Sequence, residues 1–308
     1  MYRQFLRESK PSTQLLFTAL VLLVCGIAAM VFSIFLGWLV FGVNISEMEN
    51  MMQDLTQAKN ISVLKLLQII QSIGVFIIPP FIIAWFLHNK PAVFLQYYKR
   101  PTFKSILFVI AIVYFANPFI NWLTELNSKL SLPEWMNSLE MWMQESENQA
   151  GKITEAFLTT TSITSLFTNI AMIAILPALG EELLFRGVVQ QLFKNKFGNA
   201  HYAIWASAAI FSALHLQFFG FLPRLILGAM FGYMLEWSGT LWLPMIAHFV
   251  NNATAVVAYY FMQKGLIGNG IEKAGTSTDG STYMVVVSLI FLFVFFRALY
   301  IRSEPNTE

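Results

Sequence analysis

Residues 11–46 read PSTQLLFTALVLLVCGIAAMVFSIFLGWLVFGVNIS, a run without a single Asp, Glu, Lys or Arg. A helix crosses the hydrocarbon of a bilayer with about 20 apolar residues, so this stretch exceeds one span. Further uncharged windows recur at 66–89, 105–124, 156–180, 197–223, 237–263 and 280–296. An eighth candidate, Phe219 to Trp237, is interrupted only by Arg224 near one end and Glu236 near the other, where long side chains reach the headgroups. The pattern predicts an all-α, polytopic transmembrane helix bundle of about eight spans.

Composition agrees. Of 308 residues, 56% are hydrophobic and 12% charged, against about 25% charged in an ordinary soluble domain. That leaves too little polar surface to cover a water-soluble globule. The formal charge is only +2, which supplies no basic field of the kind that nucleic-acid binding requires, and that class is excluded. Cys25 is the single cysteine, so neither an intrachain disulfide nor a thiolate zinc site is available. The basic N-terminus followed by apolar residues resembles a secretory signal, but the run far outlasts an h-region of about 7–15 residues, and the first span is expected to be retained. Val24 stands where lipidation at Cys25 would want a small residue.

Lys and Arg collect on the cytoplasmic side of a membrane protein. With the N-terminus inside, Arg3, Arg7, Lys10, Lys90, Lys99, Arg100, Lys104, Arg186, Lys194, Lys196, Arg297 and Arg302 fall inside. Lys59, Lys129, Lys152, Lys264 and Lys273 fall outside, with Lys65 and Arg224 near span ends. Both termini are therefore expected in the cytoplasm, and the chain in the cell (inner) membrane as a multi-pass protein. Three regions are expected: a three-span N-terminal part over 1–155, a core over 156–262, and a loop, last span and tail over 263–308. Of two long outer loops, 124–157 is acidic and contains PEWMNSLEMWMQE, which reads as an amphipathic surface helix, while 263–282 is rich in Gly, Ser and Thr and reads as a flexible connection. Pro79, Pro80, Pro118, Pro177 and Pro244 are expected to kink helices or free their backbone, and Gly228 with Gly232 forms a GxxxG packing face.

Ionisable groups within spans are costly and mark function by default. Here they fall in three groups. In GEELLFRG, at the expected cytoplasmic end of the fourth span, Glu182 and Arg186 share a helix face and can pair, while Glu181 points about 100° away. FSALH places Phe211 one turn before His215 on the fifth span, and HFVNN places His248 and Asn252 on one face of the seventh. A lone buried His is usually structural. Two of them with a Glu pair, an Arg and an Asn within some seventy residues assemble the acid, base and amide donor of a hydrolytic site. Ser212 has no evident Asp partner and reads as packing. Counted from His201 and from Leu241, His215 and His248 come at different depths, which either helix tilt or a later start of the fifth helix reconciles; the later start, after an interfacial helix over 186–200 with a turn at Gly198-Asn199, is preferred.

The ordered set EExxxR, FxxxH and HxxxN, carried by Glu181-Glu182-Arg186, Phe211-His215 and His248-Asn252, resembles the CPBP or ABI family of intramembrane proteases, which includes the type II CAAX prenyl endopeptidases and bacteriocin-immunity proteins. The resemblance covers roughly residues 160–256. It implies an endopeptidase in which Glu181 and His215 activate water, His248 and Asn252 stabilise the oxyanion, and Glu182 with Arg186 braces the site, with cleavage of a membrane-associated protein or peptide near the cytoplasmic face. A prenylated tail is one substrate option. Two other readings stay open: a catalytically silent immunity or interaction protein, and a proton-coupled transporter, against which stands the lack of an internal repeat. Metal-free hydrolysis is expected, with zinc held by Glu181, His215 and His248 as the metalloprotease-like alternative; HExxH is absent. The expected partners are the membrane-bound substrate and the lipid bilayer.

Overall fold

The computed structural model describes residues 2–52, 54–160, 162–268, 270–277 and 280–303. The regular secondary structure of these residues is all helical, with no strand among them. Nine long helices carry the architecture: α1 Pro11–Phe41, α2 Ala58–Leu87, α3 Phe103–Ser128, α4 Asn137–Leu158, α5 Ile163–Phe197, α6 Ala200–Ala213, α7 Phe221–Ser238, α8 Trp242–Gln263 and α9 Tyr283–Ser303. Six of them (α1, α2, α3, α5, α7 and α9) are long and apolar enough to cross a membrane, which makes the chain a multi-pass membrane protein. Two of the eight expected spans fall short of that test of length and apolarity. The fifth expected span holds the 14-residue α6, about 21 Å at 1.5 Å per residue. The seventh, α8, has length enough but carries His248, Asn251 and Asn252, whose polarity removes it from the apolar class.

The ends of the helices sort into two faces. At one, Arg7 donates to the His88 carbonyl beyond α2, and Lys99 before α3 donates to the Ser238 carbonyl at the end of α7. There too, Lys194 near the end of α5 pairs with Glu236 at 2.6 Å. At the other face, Lys65 of α2 reaches the Phe157 carbonyl of α4 and Asn169 of α5, and Asn127 of α3 bonds both Phe218 and Leu222 around the start of α7. The side chains of Arg3 and Arg302 lie outside the described residues; Lys90, Lys99, Arg100, Lys104, Lys194, Lys196 and Arg297 sit around the first face, called here the basic end. Residues 274–277, expected to be part of a flexible connection, are docked on α3, where Asn121 donates to the Ala274 carbonyl and Glu125 accepts from the Ser277 backbone. Gly275 permits this with φ +88°, because a Cβ there would lie 2.4 Å from the Pro118 carbonyl oxygen.

One hydrogen-bond ladder sets the register of the interior. Arg186, Gln190 and Lys194, each one turn beyond the last on α5, reach Gly228, Gly232 and Glu236 on α7. The equal spacing requires α5 and α7 to run parallel. The GxxxG pair makes the first two rungs possible, since a Cβ on Gly228 would sit 3.2 Å from the Arg186 guanidinium and one on Gly232 would sit 2.8 Å from the Gln190 amide oxygen. Its small residues thus admit side chains to the backbone of α7 as well as admitting α6.

Candidate functional site

Glu181, Glu182 and Arg186 lie midway along the 35-residue α5. Eighteen residues separate Ile163 from Glu181, about 27 Å at 1.5 Å per residue, and α5 runs on through Phe197 with no separate interfacial helix. The expected turn at Gly198-Asn199 does follow, with Gly198 at φ +65° and the Asn199 side chain capping α6. His215 stands beyond the end of α6 rather than on a spanning helix. The next residue, Leu216, has φ +53°, a left-handed conformation that a branched residue holds only at a cost. His215 and His248 flank one ring: that of Phe211 lies 4.9 Å from the His215 ring and 6.3 Å from that of His248, both edge-on.

The pair expected from the i,i+4 spacing is present and fully buried. Arg186 Nη1 donates to Glu182 Oε1 at 2.9 Å, and its Nη2 donates to the Gly228 carbonyl at 2.8 Å. The guanidinium also lies 4.7 Å from the centre of the Phe211 ring. Glu182 does more than hold the arginine, since the same Oε1 accepts from His248 Nδ1 at 2.9 Å. Glu182 Oε2 has no hydrogen-bond partner among the described residues. Because the Glu182 carboxylate accepts, His248 carries a proton on Nδ1, and its Nε2 is turned toward Glu181 Oε2, 3.8 Å away. That gap is too long for a direct hydrogen bond. The imidazole is stacked on Phe231, 5.4 Å between ring centres.

His215 follows the same logic. Its Nδ1 lies 2.7 Å from the Phe211 carbonyl oxygen, which only accepts, so the proton is on Nδ1 and Nε2 is the free lone pair. Asn252 has an unexpected partner. Its Nδ2 donates to the Ile173 carbonyl at 3.0 Å, and Ile173 is the residue four before Pro177. Proline has no N–H to give to that carbonyl, and the turns just before it, Ile170–Ile175, widen to a π-helix. Asn252 thus occupies the acceptor that Pro177 leaves free, and only the second N–H of its amide is available for other work. Ser212 donates to the Phe221 carbonyl, consistent with packing.

Glu181, His215, His248 and Asn252 line one cavity of about 780 Å³. Arg224, which the sequence showed only as an interruption of a span, lines it as well, held by the Gln217 carbonyl and side chain. The signal that could have found it is the same i,i+4 repeat that sets Gly228 and Gly232 on α7. The cavity is asymmetric along the bundle. Its other walls come from the α4 ends of their helices: Thr124 on α3, Ile153 and Thr154 on α4, Ile173 and Pro177 on α5. The walls of the cavity thus lie on the side of its floor away from the basic end. Among the described residues no group of three or more His, Cys, Asp or Glu side chains is arranged to hold a metal ion.

A polytopic helical bundle with carboxylates and imidazoles gathered around one interior cavity defines the class. Within it, residues 163–254 match a family described as Rce1-like, type II CAAX prenyl endopeptidase Rce1-like, which is a family of proteases. The match holds all three motifs and bears out the resemblance read from them. The uncharacterized protein YpbD of Bacillus subtilis (strain 168) is 35% identical over 89 residues, a stretch that makes up 28% of this chain and 42% of that protein. The chain thus spans less than half the length of this curated relative. No solved structure matches.

Proposed function

We propose that the chain is an intramembrane endopeptidase that hydrolyses a peptide bond of a membrane-associated protein by carboxylate- and imidazole-assisted attack of water. The observation that carries the reading is the joint exposure of Glu181, His215, His248 and Asn252 to one cavity inside an apolar bundle. Glu181 takes a proton from the attacking water and returns it to the leaving amine, while the lone pair of His215 Nε2 orients that water. The carbonyl oxygen gains negative charge as the tetrahedral intermediate forms. The second N–H of Asn252 is one donor to it, and His248 is another when its Nε2 is also protonated. Glu182 and Arg186 act through His248: with Gly228 they fix the position and tautomer of its ring. No step needs a metal.

A transport path is disfavoured by the cavity itself. Below its floor the buried Glu182–Arg186 pair and the packed side chains of Leu183, Val188, Leu235 and Met245 close the bundle. The test is a proteomic comparison of membranes carrying the wild type or Glu181→Gln. A membrane protein that loses a cleavage product only in the variant supports the reading, and identical cleavage by purified Glu181→Gln overturns it.

A further inference from the structure

We infer that the substrate enters from the side of the membrane opposite both chain termini, as a peptide segment presented in or on the non-cytoplasmic leaflet. Two independent observations meet here. The first is the shape of the cavity. The helices that line it contribute residues from its floor toward the α4 end: Met172 to Glu181 on α5, Pro223 to Phe231 on α7, and His248 to Val256 on α8. Thr124 and Thr154 on its rim are exposed. Toward the basic end the site is sealed by Arg186, 1% exposed, and by Leu183, Leu235 and Leu241 packed beneath it. The mouth therefore faces α4.

The second observation is the distribution of cations. Arg7, Lys10, Lys90, Lys99, Arg100, Lys104, Lys194, Lys196 and Arg297 belong to the sealed end, and Lys59, Lys65, Lys129, Lys152, Lys264 and Lys273 to the α4 end, with Arg224 inside the cavity. Short loops enriched in Lys and Arg stay in the cytoplasm. The sealed end is then cytoplasmic and the mouth is not. The helix α4 at the rim suits that place, because Trp135 just before it is 82% exposed and Met141 on it is 62% exposed, the apolar projections of a helix resting in a lipid interface.

The word substrate rests on the proteolytic reading; the direction of the mouth does not, and the experiment separates them. In a Cys25→Ser chain, which is free of cysteine, Thr154→Cys marks the rim and Lys196→Cys the sealed end, and both native residues are exposed. A membrane-impermeant maleimide is applied to right-side-out spheroplasts, before and after permeabilisation. The expected result is that Cys at 154 is labelled at once and Cys at 196 only after permeabilisation. The reverse order, or immediate labelling of both, overturns the proposal. Lys152→Cys provides a second rim position, so that if neither rim cysteine is labelled before permeabilisation the proposal also fails. None of these outcomes bears on whether Glu181→Gln abolishes cleavage.

Discussion

Replacing Arg186 with Ala should damage the fold more than any change to Glu181. The guanidinium is 1% exposed and makes two charge-assisted hydrogen bonds, to Glu182 at 2.9 Å and to the Gly228 carbonyl at 2.8 Å, besides lying over the Phe211 ring. Its removal leaves the Glu182 carboxylate buried with only His248 beside it and leaves the Gly228 carbonyl without its donor. Breaking one partner of a buried ion pair costs about 3–5 kcal/mol. The bare carbonyl adds about 1–3 kcal/mol, and because the terms share one side chain they do not sum. An overall loss of about 4 kcal/mol corresponds to a thermal midpoint lower by roughly 8 °C for a chain of this size. Glu181 has no partner closer than the 3.8 Å approach to His248, so Glu181→Gln should move the midpoint by about 2 °C or less. The assay is thermal unfolding of the purified proteins in one detergent. Arg186→Lys, which retains the charge but not the two-pronged geometry, should fall between. Equal midpoints for Arg186→Ala and Glu181→Gln would refute the argument that the buried pair braces the site.

Glu181→Gln should lower the cleavage rate by about 10²–10⁴ with the fold intact, read from turnover of a substrate found by proteomics. His215→Ala should also inactivate at little cost to stability, whereas His248→Ala, which strips Glu182 of a donor, should lose both activity and thermal midpoint; the same midpoint for the two variants would count against the Glu182 contact. Asn252→Ala should destabilise by about 1–3 kcal/mol because it exposes the Ile173 carbonyl. Adding Pro177→Ala, which supplies an N–H to that carbonyl, should restore the midpoint but not the activity; no recovery would refute the pairing. Purified, active protein should keep its activity in chelator, and stoichiometric zinc with activity lost to chelator and regained on adding Zn²⁺ would overturn metal-free hydrolysis.

Spacing alone made part of this site legible. Four residues between Glu182 and Arg186 set a buried pair on one face of α5 and turned Glu181 elsewhere, and both features stand in the structure. Contacts that depend on a missing hydrogen bond were not legible. The Ile173 carbonyl becomes an acceptor only because Pro177 follows it, and no periodicity ties it to Asn252, 79 residues away. The length of α6 was hidden for a different reason. An uncharged run such as 197–223 reports that residues avoid water, not that they stay helical, and within it the chain turns at Leu214 to Gln217. Depth was misjudged with it, because counting at 1.5 Å per residue supposes an unbroken helix. Arg224 was visible as a charge, and its i,i+4 spacing from Gly228 and Gly232 was the unread sign that it shares their face of α7.

That early end of α6 bears on how a lipid-embedded reaction is supplied. Hydrolysis consumes water, and the hydrocarbon around these helices holds almost none, so reactant delivery is as much a problem as bond cleavage. Irregular backbone at such a depth persists only where protein or solvent satisfies it. Here the backbone around His215 opens onto a hollow of about 780 Å³, room for a file of solvent molecules from the rim to Glu181. The interruption that ends α6 early is thus also a conduit, and filling it with bulkier side chains at Ala255 or Gly220 would starve the chemistry while leaving every acid and base in place.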